Sequence, residues 1–521
     1  MKARSFCGVV VLLAFSVSAW AEVPGKVLRV VPHSNLTIID PIWTTAVISQ
    51  EHGYMIYDVL FAPDAHGAIK PQMVGRYEVS KDGRSWTFWL RDGLEFHDGQ
   101  PVKSEDVIAS LRRWSQRDTM GQRLLSLAES LEVIDARSFR IRLKTPYGSM
   151  LETLGKASNA PFVMPKRVAE TPSDKQLDDT TGSGPFIFKR DEWKPGETVV
   201  YVKNPKYRPR AEPSDGLAGG KVVKVDRVEW VIIKDAQTQI NALVAGEVDV
   251  VEAPAYESYA ALKANQDVEF EKDPVRRQSI VRFNHLQPPF DNPKVRQAAM
   301  TALDQTALQR TQVGVPELYS TCYSVYTCGS PYVTTKGMEQ LARGDTKRAR
   351  ELLKASGYDG TPVVVMQPSD QTALGKFPMM AAQLLRQAGF KVDVQSMDWQ
   401  TLVSRRAKKD PPAKGGWNLF ITDFTQLDLS NPLSHLLVGA ACEKAWFGWP
   451  CDAEVERLRD GFAQCQNSSE CKSLAEQVQV RAMEVGTYLP IGEHVTPKVS
   501  RRNVKGLIDG FYMVLWNVEK T

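Results

Sequence analysis

Net charge is nearly absent from this 521-residue chain: 65 lysines and arginines stand against 61 aspartates and glutamates, leaving +4 at neutral pH. So slight a balance, with no basic run interleaved by aromatics, argues against nucleic acid as a partner. Long apolar runs are missing after the first 21 residues, so no later stretch reads as a membrane span. Histidine is scarce, seven in all, and none stands at metal-ligand spacing from another. There is no H-E-x-x-H, no G-x-S-x-G elbow and no phosphate-cradling P-loop. The sequence therefore offers no grounds for a zinc peptidase or a serine hydrolase, and no cofactor or resident metal is expected.

Cysteine is sparse as well, with seven residues. Cys7 lies in a leader-like start: Lys2 and Arg4, an apolar run from Val9 to Val17, then Ala19-Trp20-Ala21 as an A-x-A cleavage site. This is the pattern of a secretory signal over residues 1–21, too short to span a bilayer. Cys7 has no small-residue lipobox before it, so the expected product is exported and carries no lipid anchor. Six cysteines then remain, in three sequence-local couples, and the expected disulfides are Cys322–Cys328, Cys442–Cys451 and Cys465–Cys471. A metal site in their place would need a C-x2-C pair, and none is present.

Against these absences stands a steady alternation of strand and helix signals. Val27–Val31 alternates as a strand, and Asp40-Pro41 opens a helical segment reaching Leu60. Trp86–Val107, WTFWLRDGLEFHDGQPVKSEDV, reads as a strand, an Asp92-Gly93 turn, a returning strand over Leu94–His97, a second turn and a helix starting at Ser104. Here His97-Asp98 is taken as part of a structural hairpin. Leu131–Val133 and Phe139–Leu143 form a further hairpin, and Phe186–Phe188 is a strand after the Thr181–Pro185 glycine turn. Arg227–Ile233, Asp235–Ala245 and Val248–Val251 make a strand–helix–strand unit. Strands at Ser279–Phe283, Pro362–Met366, Lys391–Gln395 and Trp417–Thr422 alternate with helices that include one capped by Asp291 or Asn292, with Pro293 in its first turn and an apolar face from Val295 to Leu303, and Phe377–Gly389. Helices and strands alternate in both halves, so the fold class is α/β, and the length calls for about two to four domains.

With these pieces in order, the chain resembles the family 5 extracellular solute-binding proteins, the peptide- and nickel-type receptors of bacterial ABC importers. Trp86–Val107 is similar to that family's W-T-F-x-L-R-x-G-x-x-F-H-D-G signature. Thr181–Phe186, Asn204–Tyr207, Leu243–Val250 and Phe290–Asp304 match further motifs in the same order. The resemblance implies a two-lobed periplasmic-binding-protein fold, type II-like, with a hinge. Lobe one would be residues 22–283 plus 497–521, with an inserted subdomain at about 65–178, and lobe two would be 284–496. It also implies a monomeric periplasmic receptor that captures a small solute, a peptide in the first place, and hands it to an inner-membrane ABC permease. The alternatives are a metal-chelate or haem receptor of the same fold and, from another class, a secreted hydrolase.

Site residues follow from the same resemblance. Asp428 stands in the segment where peptide-binding members keep an anchor for the α-amino group, with a solvated loop aspartate as the alternative reading. Asp423-Phe424 replaces the family's G-W pair there, and both are candidate ligand residues. Trp399 and Arg406 match the aromatic and arginine of the cleft wall; the alternatives are a core tryptophan and a surface arginine. Trp43 and Thr45 occupy the matching rim of lobe one. The arginine that dipeptide-type members carry after the Val363–Met366 strand is replaced by Gln367-Pro368-Ser369.

Overall fold

The computed structural model describes residues 26–465, 467–510 and 512–521. The expected leader lies outside them. Two large sheets organise the chain. The first runs Val268–Phe270, Val499–Arg501, Val250–Val251, Val27–Val31, Arg227–Val231, Thr198–Lys203, Phe186–Phe188. Its middle strand, Val27–Val31, is parallel to both neighbours. The second runs Tyr319–Ser320, Leu489–His494, Arg277–Phe283, Leu419–Thr425, Val363–Pro368, Val392–Met397. Each sheet has its own hydrophobic cluster, around Leu28, Val30 and Trp230 in one and Val281, Phe283 and Ile421 in the other. Two clusters of this size are what a chain too long for a single core produces.

A four-stranded sheet, Val74–Val79, Ser85–Leu90, Ser138–Leu143 and Ala128–Asp135, sits within the stretch expected to be an inserted subdomain. Phe88, Phe139 and Ile141 from this sheet share one cluster with the first lobe, so it is an annex of that core. The expected strand at Leu94–His97 does not form; only an isolated Glu95–Pro101 bridge is made. Ser85–Leu90 pairs instead with Val74–Val79 and Ser138–Leu143. His97 serves the glycine turn, its Nδ1 accepting from the Gly182 N–H at 3.2 Å and its Nε2 lying 3.2 Å from the Gly184 carbonyl.

The expected boundary at Phe283 is corrected. Arg277–Phe283 is an inner strand of the second sheet, paired along its length with Leu419–Thr425 and with Leu489–His494. The chain therefore crosses between Phe270 and Arg277. A strand as apolar as Ile280–Phe283 suits the end of one sheet as well as the heart of the next, so pattern alone misplaces it. The return crossing lies between His494 and Val499, and the two crossings are joined: the Glu271 N–H donates to the Lys498 carbonyl at 2.8 Å, and Lys498 Nζ meets Glu271 Oε1 at 2.8 Å. Just beyond, the Pro293–Ala302 helix forms as expected, with Asn292 capping Lys294 N at 2.9 Å and Pro293 in the first turn. All three expected disulfides are present, Cys322–Cys328, Cys442–Cys451 and Cys465–Cys471. No helix of the described residues is long and apolar enough to cross a membrane.

Candidate functional site

A narrow cavity of about 40 Å³ lies where the two lobes meet. From the second lobe, Trp399, Arg406, Asp423, Phe424 and Asp428 line it. From the first come His33, Thr45, Ser158 and Tyr512. Six of the seven residues expected at a ligand site thus face one space. Trp43 does not: its ring sits under the Arg117 guanidinium at 5.7 Å, outside the cavity lining.

Local structure explains each placement. Asp40 is fully buried, accepts from the Ile42 and Trp43 N–H groups at 3.0 and 3.2 Å, and pairs with Arg113 at 2.5 Å. That turn aims Thr45 at the opposite lobe. Asp398 caps the Trp399–Arg405 helix through Thr401 N at 3.0 Å. Seven residues are close to two helical turns, so Trp399 and Arg406 fall on one face.

Arg406 has a peculiar setting. It is 2% exposed. Four rings surround its guanidinium: Trp399 at 5.8 Å, Phe420 at 5.9 Å, Trp446 at 5.4 Å and Phe447 at 5.1 Å. Among the described residues its one side-chain hydrogen bond goes across the lobes, Nη2 to Thr45 Oγ1 at 3.2 Å, and its Nε has no partner. Burial alone pushes its pKa down to about 9, with no carboxylate in opposition. Ring faces attract a cation, but they do not replace the hydrogen bonds it has lost to water.

The two aspartates differ. Asp423 is paired, Oδ1 to Arg277 Nη2 at 2.5 Å and Oδ2 to His494 Nε2 at 3.5 Å. Burial opposes its ionisation, but Arg277 and His494 overcome that and hold its carboxyl below the usual range. Asp428 accepts from Thr425 Oγ1 at 2.8 Å and Thr425 N at 3.3 Å, a small local cap. Burial raises its pKa despite the favourable pull of Lys156, Thr425 and Ser158. Lys156 is already committed to Asp118. Asp428 also borders a second interlobe space, shared with Lys156, Tyr332 and Phe462.

Sequence reasoning missed Arg277, His33, Ser158 and Tyr512, which reach the cavity from distant parts of the chain and belong to none of the motifs. It also missed a serine–histidine–aspartate succession, since His494 Nδ1 lies 2.9 Å from Ser279 Oγ while its Nε2 faces Asp423. Ser279 is fully buried in its strand, outside the cavity lining, and accepts from Gln309 at 3.3 Å, so no substrate carbonyl reaches it. Among the described residues, two groups have the donor types of a metal site. Cys322, Cys328 and Glu493 are one, but its sulfurs are joined in a disulfide. His33, Glu51 and Glu252 are the other.

The model of the bacterial extracellular solute-binding proteins, family 5, matches residues 68–433. The chain belongs to this family. A probable peptide ABC transporter periplasmic-binding protein of Sinorhizobium fredii is 37% identical over 494 residues, covering 93% of this chain and 92% of that one. The glutathione-binding protein of Salmonella typhi is 28% identical over 391 residues, 74% and 72% of the two chains. Among solved structures, an ABC transporter-associated periplasmic binding protein of Helicobacter pylori, in complex with the peptide STSA, superposes with a TM-score of 0.79 at 20% identity. That match covers 95% of this chain and 98% of the other. As a family member with this two-lobed fold, the protein is a solute-binding receptor.

Proposed function

We propose that the protein is the periplasmic receptor of an ABC importer and captures a short peptide that carries a free carboxylate and a free amine. Arg406 carries the reading. A buried guanidinium with one hydroxyl partner, in the wall of the interlobe cavity, is complementary to a ligand carboxylate, which would supply both charge and paired acceptors. Asp428, buried with its carboxyl pushed up, supplies the matching site for an ammonium. The two partners satisfy each other only when the ligand is seated and the lobes have closed, so binding favours the closed state. The space beyond Asp428 leaves room for a ligand larger than the inner cavity. Peptide recognition by the Sinorhizobium relative and glutathione recognition by the Salmonella relative agree with this ligand class. The absence of an arginine at Gln367–Ser369 separates it from a strict dipeptide receptor.

Calorimetry of the mature protein against a di- to pentapeptide panel tests this. A peptide that binds should lose at least about tenfold in affinity when its C-terminus is amidated and again when its amine is acetylated, each change removing one charge-assisted contact. Equal affinity for the free and both blocked forms would sink the proposal.

A further inference from the structure

We propose that His33, Glu51 and Glu252 form a binding site for a first-row divalent transition ion of the zinc class, at the first-lobe edge of the cavity. Linear spacing hides it, because the three residues come from separate elements. His33 follows the Val27–Val31 strand, and Glu252 follows the adjacent parallel strand Val250–Val251, with its N–H donating to the Val31 carbonyl at 3.0 Å. Two parallel strands that end together bring the residues just beyond them side by side, Glu252 directly after its strand and His33 after Pro32. Glu51 comes from the Val47–Ile56 helix above them.

The donor atoms converge. His33 Nδ1 lies 2.8 Å from Glu252 Oε2 and 3.7 Å from Glu51 Oε2, and all three ligand atoms fall within 4.8 Å of one another. Donors about 2.0–2.2 Å from a common metal stand roughly 3 to 3.6 Å apart, so modest adjustment closes a shell. Glu51 provides the second observation. Its residue is fully buried, the Met513 N–H donates to Oε1 at 2.8 Å, and Oε2, which no N–H or hydroxyl of the described residues reaches, is turned toward both His33 and the Glu252 carboxyl. The neighbouring cation does not answer it, since Lys498 Nζ is taken by Glu271 Oε1 at 2.8 Å and the Gly510 carbonyl at 2.6 Å. Two buried carboxyl groups facing each other beside an imidazole are costly if both are charged, and a divalent ion placed among the three would answer both at once. One nitrogen and two carboxylate oxygens suit zinc, cobalt, nickel or manganese over calcium or magnesium, which take oxygen alone. His33 lines the cavity, so the remaining coordination positions open toward the solute.

All three ligands belong to the first lobe, so metal binding should not depend on a peptide or on Arg406, and its failure would leave the receptor reading intact. The mature protein, stripped with EDTA with its disulfides intact, is titrated with Zn²⁺ by calorimetry. The expected result is one ion per chain with a Kd of about 1 µM or tighter. His33→Gln and Glu252→Gln should each weaken it by at least about tenfold, while Arg406→Gln leaves it unchanged. Loss of a saturable site in the wild type, or equal uptake by His33→Gln, would overturn the proposal. X-ray absorption at the zinc edge of the loaded wild type guards against variants that fail to fold: a shell of one nitrogen and oxygens supports the site, and sulfur or several imidazoles in the shell refutes it.

Discussion

Two buried arginines flank Trp446, Arg282 with its guanidinium carbon 5.3 Å from the ring and Arg406 at 5.4 Å. Burial pushes both down to about 9, so both carry a similar desolvation penalty. Their compensation differs. Arg282 donates to the carbonyls of Phe447 at 2.6 Å, Leu437 at 2.9 Å, Thr487 at 2.8 Å and Trp446 at 3.0 Å. Arg406 has a single hydroxyl. The first is a staple whose donors are spent inside the second lobe; the second keeps most of its donors unspent, which is what the proposed carboxylate contact would use. The contrast shows why burial of a charge does not by itself mark a site, whereas burial without partners does.

Substituting each arginine by methionine gives the largest expected separation. Arg282→Met takes its donor from four carbonyls, of which Trp446's keeps the Trp449 N–H at 3.1 Å, and should cost at least about 4 kcal/mol in urea unfolding, or prevent folding altogether. Arg406→Met removes an undercompensated charge and should change stability by less than about 1 kcal/mol. Its affinity for a peptide with a free carboxylate should fall about a hundredfold. If Arg406→Met unfolds as readily as Arg282→Met and still binds peptide, the two arginines do the same job and the distinction fails.

The Cys442–Cys451 bond tests what the two arginines share. Between these cysteines lie Trp446 and Phe447, whose carbonyls hold Arg282 and whose rings pack around Arg406. Gly448, in the same loop, has a φ of 99°, and a side chain there would meet the Phe283 carbonyl oxygen at 2.4 Å. Replacing both cysteines by serine should lower stability by about 2–3 kcal/mol through the freed loop of the unfolded chain. Because the loop serves both arginines, peptide affinity should drop as well. Opening Cys465–Cys471 the same way should affect stability alone, since neither residue borders the cavity. Equal loss of affinity in both double variants would show that the loop has no special tie to the site.

Motif and periodicity made much of this legible. The Arg227–Val231, Ala236–Ala245 and Val250–Val251 unit, the helix beginning at Ser104 and the three disulfides all follow from local pattern. The candidate residues of the second lobe came from segments that matched the family in order. The rest depended on what meets across the chain. Nothing near Arg406 in sequence says that Phe420, Trp446 and Phe447 will exclude water from it, so sequence alone favours a surface arginine over a cleft one. His33 and Glu252 are brought together by strand order, and no spacing rule spans that separation. Trp43 matched by position, yet one turn's orientation gave the cavity to Thr45 instead.

The smallest effect concerns protons, and it separates the two ends of the cavity. Arg406 touches aromatic rings and hydrogen-bonds Thr45, groups that do not titrate near neutrality, whereas Asp428 has its carboxyl raised by burial. A raised carboxyl favours the folded state fully below its unfolded value of about 3.9, and that contribution disappears as pH rises through the folded value. Asp423, held low chiefly by Arg277 against its own burial, acts in the opposite sense, stabilising above that value and failing as pH falls. An ammonium at Asp428 selects the carboxylate, so peptide binding in mildly acidic solution should release a fraction of a proton, and affinity should improve with pH until Asp428 is ionised. Calorimetry in two buffers of different ionisation enthalpy measures that release. Asp428→Asn should abolish it while Arg406→Met leaves it in place. Proton release that survives in Asp428→Asn would assign the linkage elsewhere and leave Arg406 as the one charge in the cavity that waits for a ligand.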